Sequence, residues 1–161
     1  SQKILDAMDK GTTVGQIVES TQMMKKHGIK PCYFLQFGYP GETLEDVHLT
    51  LDLVIKNMPH DIGVSVSYPL PGTKFFDSVK SQLSEKQNWN DSDELLVMFE
   101  SPMPKGYYKT LQRHLHHEFR KRQAFVSLKN LGGSSDFRKA LSLVYRVPQS
   151  ALSKFQMAKY A

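Results

Sequence analysis

The chain opens with apolar residues at helical spacing. Ile4, Leu5 and Met8 fall on one side of a short helix that ends at Lys10-Gly11, with Gly11 suited to the left-handed cap position. Thr12 or Thr13 then caps an amphipathic helix with apolar positions at Val14, Ile17, Val18, Met23 and Met24. Gly28 closes it behind Lys25, Lys26 and His27. Residues 32–37 are a compact apolar run between Pro31 and Gly38, too short for a helix and rich in aromatics, which predicts a buried strand. Thr43 starts a third helix, with Glu45 and Asp46 in its first turn and Val47, Leu51, Val54 and Ile55 on one face up to Met58-Pro59. Over residues 62–68, Gly63, Ser65 and Ser67 alternate with Val64, Val66 and Tyr68, predicting a second strand with a small polar face and an apolar face. Two strands joined by a helical crossover of this length make a parallel βαβ unit.

The remainder reads as helical. A segment over 74–83 follows Pro71-Gly72-Thr73, then a polar stretch containing Trp89. Residues 106–131 form one long helix, with Tyr108, Leu111, Leu115 and Phe119 on one face. Gly132-Gly133-Ser134-Ser135 breaks it. Asp136 caps a helix to Arg146, and a last short helix follows Pro148. Two strands cannot complete a doubly covered parallel sheet, so the pattern implies further βα units upstream.

Composition narrows the class. The chain has 161 residues, 40% of them apolar and 23% charged, enough for a globular core. Its apolar runs fall far short of a membrane span and its start shows no apolar signal-peptide core, which predicts a cytoplasmic protein. A single cysteine, Cys32, excludes an internal disulfide, a cysteine zinc site and an iron–sulfur cluster held by this chain alone. Cys32 itself is expected to fill a small core position. The first residue is serine, which fits a piece of a longer chain. The net charge of +5 is divided unevenly: residues 1–100 hold 9 Lys/Arg against 14 Asp/Glu, and residues 101–161 hold 12 against 2. A basic second half suits nucleic acid or an anionic surface, or complements the acidic half of its own chain.

Two stretches leave the strands at the same end. Gln36 to Thr43 passes through Gly38 and Gly41 into a capped helix, and in parallel α/β folds ligands bind beyond the carboxyl ends of strands. Gly38 would let backbone approach a ligand, and Glu42 would either hold a ribose hydroxyl or serve as a capping carboxylate. Ser65 to Thr73 leaves the second strand through two prolines, which fix an extended exit that presents Tyr68 and Leu70, or simply form a rigid turn before the next helix. His114, His116 and His117 invite a metal reading, but His116 points away from the other two. A solvated helix face is the simpler account, and no metal site is assigned. Trp89, Tyr107 and Tyr108 read as packing anchors.

Taken in order, Ser1 to Thr12, Phe37-Gly38-Tyr39-Pro40-Gly41-Glu42-Thr43 and Tyr68-Pro69-Leu70-Pro71-Gly72-Thr73 resemble the segments at the ends of the fourth, fifth and sixth barrel strands of the radical SAM superfamily. The resemblance is especially to its members with an N-terminal cobalamin-binding domain, and it covers about half the chain. The resemblance implies the last βα units of a partial (β/α)6 TIM-like barrel over 1–83, a connecting segment over 84–105 and a basic α-helical extension over 106–161. It implies an enzyme in the parent chain, in which a four-iron four-sulfur cluster on an upstream Cys-x-x-x-Cys-x-x-Cys loop cleaves S-adenosylmethionine reductively. Radical methyl transfer or oxidoreduction of a small-molecule substrate then follows, with cobalamin as a further cofactor. This segment alone would be inactive, and no catalytic residue is assigned within it.

Gln36, Gly38, Tyr68, Pro69 and Leu70 are carried over as contributors to the adenosine pocket, and Ser65 and Ser67 as lumen residues facing substrate. Gln36 is the choice for a ribose or adenine hydrogen bond, because a buried unpaired amide costs about 1–3 kcal/mol. The upstream part of the same polypeptide is the expected partner. The competing reading is a non-catalytic α/β module whose basic helices dock on RNA or an acidic protein; a histidine-based metal hydrolase ranks last.

Overall fold

The computed structural model describes residues 1–83, 95, 97–104, 106–129 and 141–160. Trp89 and Asp136 lie outside them. The order is α1 (Gln2–Ala7), α2 (Val14–Lys26), β1 (Cys32–Phe37), α3 (Leu44–Asn57), β2 (Asp61–Val66), α4 (Lys74–Val79), a 3-10 turn (Lys80–Gln82), α5 (Tyr107–Lys129) and α6 (Leu143–Met157). The class is mixed α/β. Among the described residues the sheet is one parallel pair, in register from Cys32 against Asp61 to Phe37 against Val66, with α3 as the crossover.

Local chemistry sets most boundaries. Thr13 and Thr43 each form a reciprocal capping box, with Gln16 and Asp46 respectively. α1 stops earlier than its apolar spacing suggests: Asp9 (φ 54°) caps it in the left-handed position, Gly11 (φ +61°) being left-handed as expected but two residues beyond the cap, and the Lys10 N–H donates to the Leu5 carbonyl while that of Asp9 donates to Asp6. This is the doubled carbonyl satisfaction of a Schellman end, and a short polar aspartate tolerates that backbone. α2 ends the same way, with Gly28 (φ +74°) as expected.

The core lies on one side of the sheet. Leu35, Phe37, Ile62 and Val66 meet Val47 and Val54 of α3 and Leu111, Leu115 and Phe119 of α5. Leu115 and Phe119 are fully buried, each contributing about 1.5–3 kcal/mol over an exposed position. α5 runs from Tyr107 and Tyr108, buried near the carboxyl end of β1, down to Arg120, whose guanidinium meets Asp61 at the start of β2 at 2.7 Å.

Three expectations are corrected. Cys32 is exposed, because it begins β1 on the face away from the core, together with Phe34. The helix expected over 74–83 divides into α4 and the 3-10 turn. Pro148 starts no new helix. It sits inside α6, where the missing N–H and the ring clash cost about 3 kcal/mol that the packing of α6 on α5 must offset.

Candidate functional site

Gly38 follows β1 in a left-handed conformation, φ +78°, and its N–H donates to Glu42 Oε2 at 2.8 Å. A Cβ at Gly38 would stand 3.0 Å from Val97 Cγ2 and 3.2 Å from the Tyr108 ring. Glycine is therefore required twice, by dihedral and by space, and its open side is occupied by this chain's own residues.

Glu42 is the unusual group here. It lies outside α3, whose cap is Thr43 with Asp46, so it is not the capping carboxylate considered above. The turn at Tyr39 to Glu42 folds it back under Gly38, where it is 6% exposed and 3.5 Å from the Tyr108 hydroxyl, which donates to it. Burial pushes its carboxyl up to about 7, against the pull of the Gly38 N–H. Burial and then Glu42 hold the Tyr108 phenol above its usual range, so it stays a donor. One turn on, burial also acts to raise the Asp46 carboxyl, but Lys3 Nζ at 2.8 Å, the Ser1 hydroxyl at 2.7 Å and Thr43 outweigh it and hold Asp46 well below the carboxylate range. Two neighbouring carboxyls thus hold opposite protonation preferences. The Gly-x-x-x-Glu spacing was visible in the sequence; its closure by Tyr108, sixty-six residues away, was not.

The strand faces divide the remaining candidates. Gln36 and Ser65 are register partners on the side away from the core, with Phe34 and Gly63 one pair below. Ser65 is exposed and its hydroxyl donates to the Leu35 carbonyl at 3.3 Å; among the described residues nothing hydrogen-bonds the half-buried Gln36 amide. Gln36 also borders a cavity of about 300 Å³ between β1 and α1, shared with Ile4, Leu5, Phe34 and Glu42. Ser67 continues the pairing, its N–H donating to the Phe37 carbonyl at 2.7 Å. Its hydroxyl is wholly buried with no partner among the described residues, at a cost of about 1–3 kcal/mol. Tyr68 packs against the core, Pro69 is buried and Leu70 is exposed. The structure therefore brings Gln36 and Ser65 together on an open face and gathers Gly38 and Ser67 at the closed strand ends. An aromatic row caps that end: Tyr39 lies 4.9 Å from Phe75, which meets Phe99 edge-on at 5.4 Å.

The histidines belong elsewhere. His114 Nδ1 is 3.1 Å from Ser153 Oγ and His117 Nδ1 is 3.1 Å from the Gln149 carbonyl, so both are partly buried against α6, a correction to the solvated-face account. No group of three or more metal-ligating side chains forms among the described residues, and no described helix is long and apolar enough to cross a membrane.

No family model matches the chain. Over about half its length it is similar to group-transfer enzymes. A protein of Methanocaldococcus jannaschii named for methylthiotransferase activity is 34% identical over 86 residues, 53% of this chain and 19% of that protein. An uncharacterised methyltransferase of Pyrococcus horikoshii is 28% identical over 90 residues, 55% and 20%. The tRNA-2-methylthio-N6-dimethylallyladenosine synthase of a Sulfurihydrogenibium species is 34% identical over 89 residues, 53% and 20%. The chain spans about a fifth of the length of the curated relatives it matches.

Proposed function

We propose that this chain is the C-terminal part of a radical SAM enzyme of the methylthiotransferase and methyltransferase kind, with β1 and β2 as the last two strands of a (β/α)6 barrel and α5 and α6 as its extension. The observation that carries the reading is Phe34. It stands 91% exposed in the middle of a parallel pair whose other face is fully packed, and such a pair needs a second layer or further strands to cover it. The relatives support the chemistry. Methylthiotransferases are radical SAM enzymes, and they imply S-adenosylmethionine and an iron–sulfur cluster in the parent chain; the cobalamin subtype rests on the sequence resemblance alone.

The residues present suit S-adenosylmethionine and not the cluster. Gln36 offers an unengaged amide beside the Ser65 hydroxyl on the open face, donors and acceptors of the kind an adenosine takes. The chain's single cysteine leaves cluster ligation to other residues of the parent. Bound there, S-adenosylmethionine would supply a 5′-deoxyadenosyl radical, with methionine as the leaving group, on taking one electron from the parent chain's cluster. This chain's part is positional: Glu42 fixes the Gly38 backbone, the Tyr39 and Phe75 rings close the strand ends to water, and Gln36 orients the nucleoside.

The reading is tested on the parent reading frame. It is expected to hold a Cys-x-x-x-Cys-x-x-Cys loop within one domain length of Ser1, roughly 100–200 residues upstream. The reconstituted parent protein is expected to bind S-adenosylmethionine, and Gln36→Leu to weaken that binding about tenfold with iron content unchanged, the effect of one lost hydrogen bond. A start codon directly before Ser1, or binding unaffected by Gln36→Leu, overturns it.

A further inference from the structure

We propose that a second pocket, at the opposite ends of the strands, binds a phosphate-bearing ligand. It has a volume of about 670 Å³ and draws cations from four separate stretches: Lys25 of α2, Lys30 before β1, Arg120 of α5 and Arg146 of α6. Asp61 is the one carboxylate among its described lining residues, and it is already engaged by Arg120 at 2.7 Å. Two of the other three heads are held by neutral acceptors. Lys25 Nζ donates to the Asn57 carbonyl and Arg146 Nε to Ser142 Oγ at 2.9 Å, so these two heads are positioned with no ion-pair partner among the described residues.

Helix stability accounts for only part of this. Lys25 lies in the last turn of α2, where a cation complements the helix dipole. Arg146 lies in the opening turns of α6, where the dipole disfavours a cation, and Lys30 lies on no helix. Bringing like charges together costs energy unless an anion answers them. Ile29, Pro31, Met58 and Pro59 supply an apolar floor that strengthens such contacts and accommodates the organic part of a nucleotide. Guanidinium and ammonium donors in one concave site are the recognition chemistry of phosphate oxygens. The proposal concerns groups remote from Gln36 and Glu42 and stands whether or not the radical SAM reading does.

The test is calorimetric titration of the intact protein with sodium pyrophosphate, against sodium chloride at matched ionic strength. Saturable binding is expected, weakened at least tenfold by Lys30→Gln with Arg146→Gln. Lys74→Gln with Lys109→Gln, which removes the same charge at the far end of the strands, is expected to change it less than twofold. Competition then identifies the source of the phosphate: a ten-residue oligouridylate that displaces pyrophosphate points to an RNA strand, and adenosine diphosphate doing so alone points to a small nucleotide. Absence of saturable binding, equal weakening by both variant pairs, or displacement by neither competitor overturns the proposal.

Discussion

Glu42 Oε2 lies 2.8 Å from the Gly38 amide nitrogen, so the residue that follows β1 and the turn that leads into α3 are tied by a carboxyl that titrates near neutrality. Because burial raises the folded value from 4.5 to about 7, the folded chain holds this proton more tightly than the unfolded chain. The contribution is fully present below pH 4.5 and is lost as pH rises through about 7. Its full size is roughly 3 kcal/mol. Glu42→Gln keeps a carbonyl for Gly38 and removes the charge. It is expected to be more stable than the parent by about 1–2 kcal/mol at pH 8 and to flatten the stability profile across this window. Urea midpoints measured from pH 4 to 8 decide it; a variant that keeps the parental slope places the titration elsewhere.

Asp46 has the opposite sign. Its folded value is depressed, so its contribution is present above the ordinary carboxylate range and declines as pH falls below it. Asp46→Asn removes the pair with Lys3 and weakens the Thr43 capping box, an expected loss of about 1–3 kcal/mol at pH 7 that shrinks toward pH 3. Parallel acid titrations of the two proteins by circular dichroism should converge. A constant gap would mean the loss is packing and not charge.

Gly38→Ala tests the two demands on that position. The left-handed backbone disfavours a Cβ, and the Tyr108 ring cannot retreat because it is buried and meets Tyr107 edge-on at 5.2 Å. Strain and overpacking together predict a loss of about 3 kcal/mol. Adding Tyr108→Ala should relieve the steric part, so the pair should be less than additive. Strict additivity in thermal unfolding would show that the contact carries no energy.

The sequence displayed what is local. Thr13 and Thr43 start their helices and Gly28 ends one as their types predict, and the alternation around Val64 and Val66 sets the second strand and its core face. What it hid depends on contacts distant along the chain. Cys32 looked like a core residue because an apolar run cannot say which of its alternate members face a missing layer. Glu42 read as either a ribose ligand or a cap because the ring that encloses it arrives from α5. His114 and His117 looked solvated because the helix that covers them contains a proline expected to break it. Gln36 and Ser65 were readable as neighbours once a parallel register was assumed; that Ser67, two residues on, is sealed while Ser65 is exposed was not.

The α5–α6 contact is unusual in what it buries. Ser150 and Ser153 are 2% and 3% exposed, whereas Val144, Tyr145 and Phe155 of the same helix face outward. Small hydroxylated residues let the helices approach, and the seam is held by polar links: His114 to Ser153, His117 to the Gln149 carbonyl, and Ser150 to both Glu118 and Lys121, which pair with each other along α5. Burial lowers the His114 value, and Lys121, His117 and Lys154 push the same way against Glu118. A depressed histidine contributes stability that is present above its ordinary value of 6.5 and is lost as pH falls below it. Mild acid is therefore expected to loosen α6 before the sheet core. Hydrogen exchange at pH 7.5 and pH 5.5, corrected for the intrinsic rate, should show protection falling in α6 while Leu35 and Val66 stay protected. His114→Gln should abolish most of that difference, and Ser153→Leu, which overpacks the seam, should expose α6 at both pH values. Uniform loss across the chain would mean that α6 and the sheet unfold as one unit.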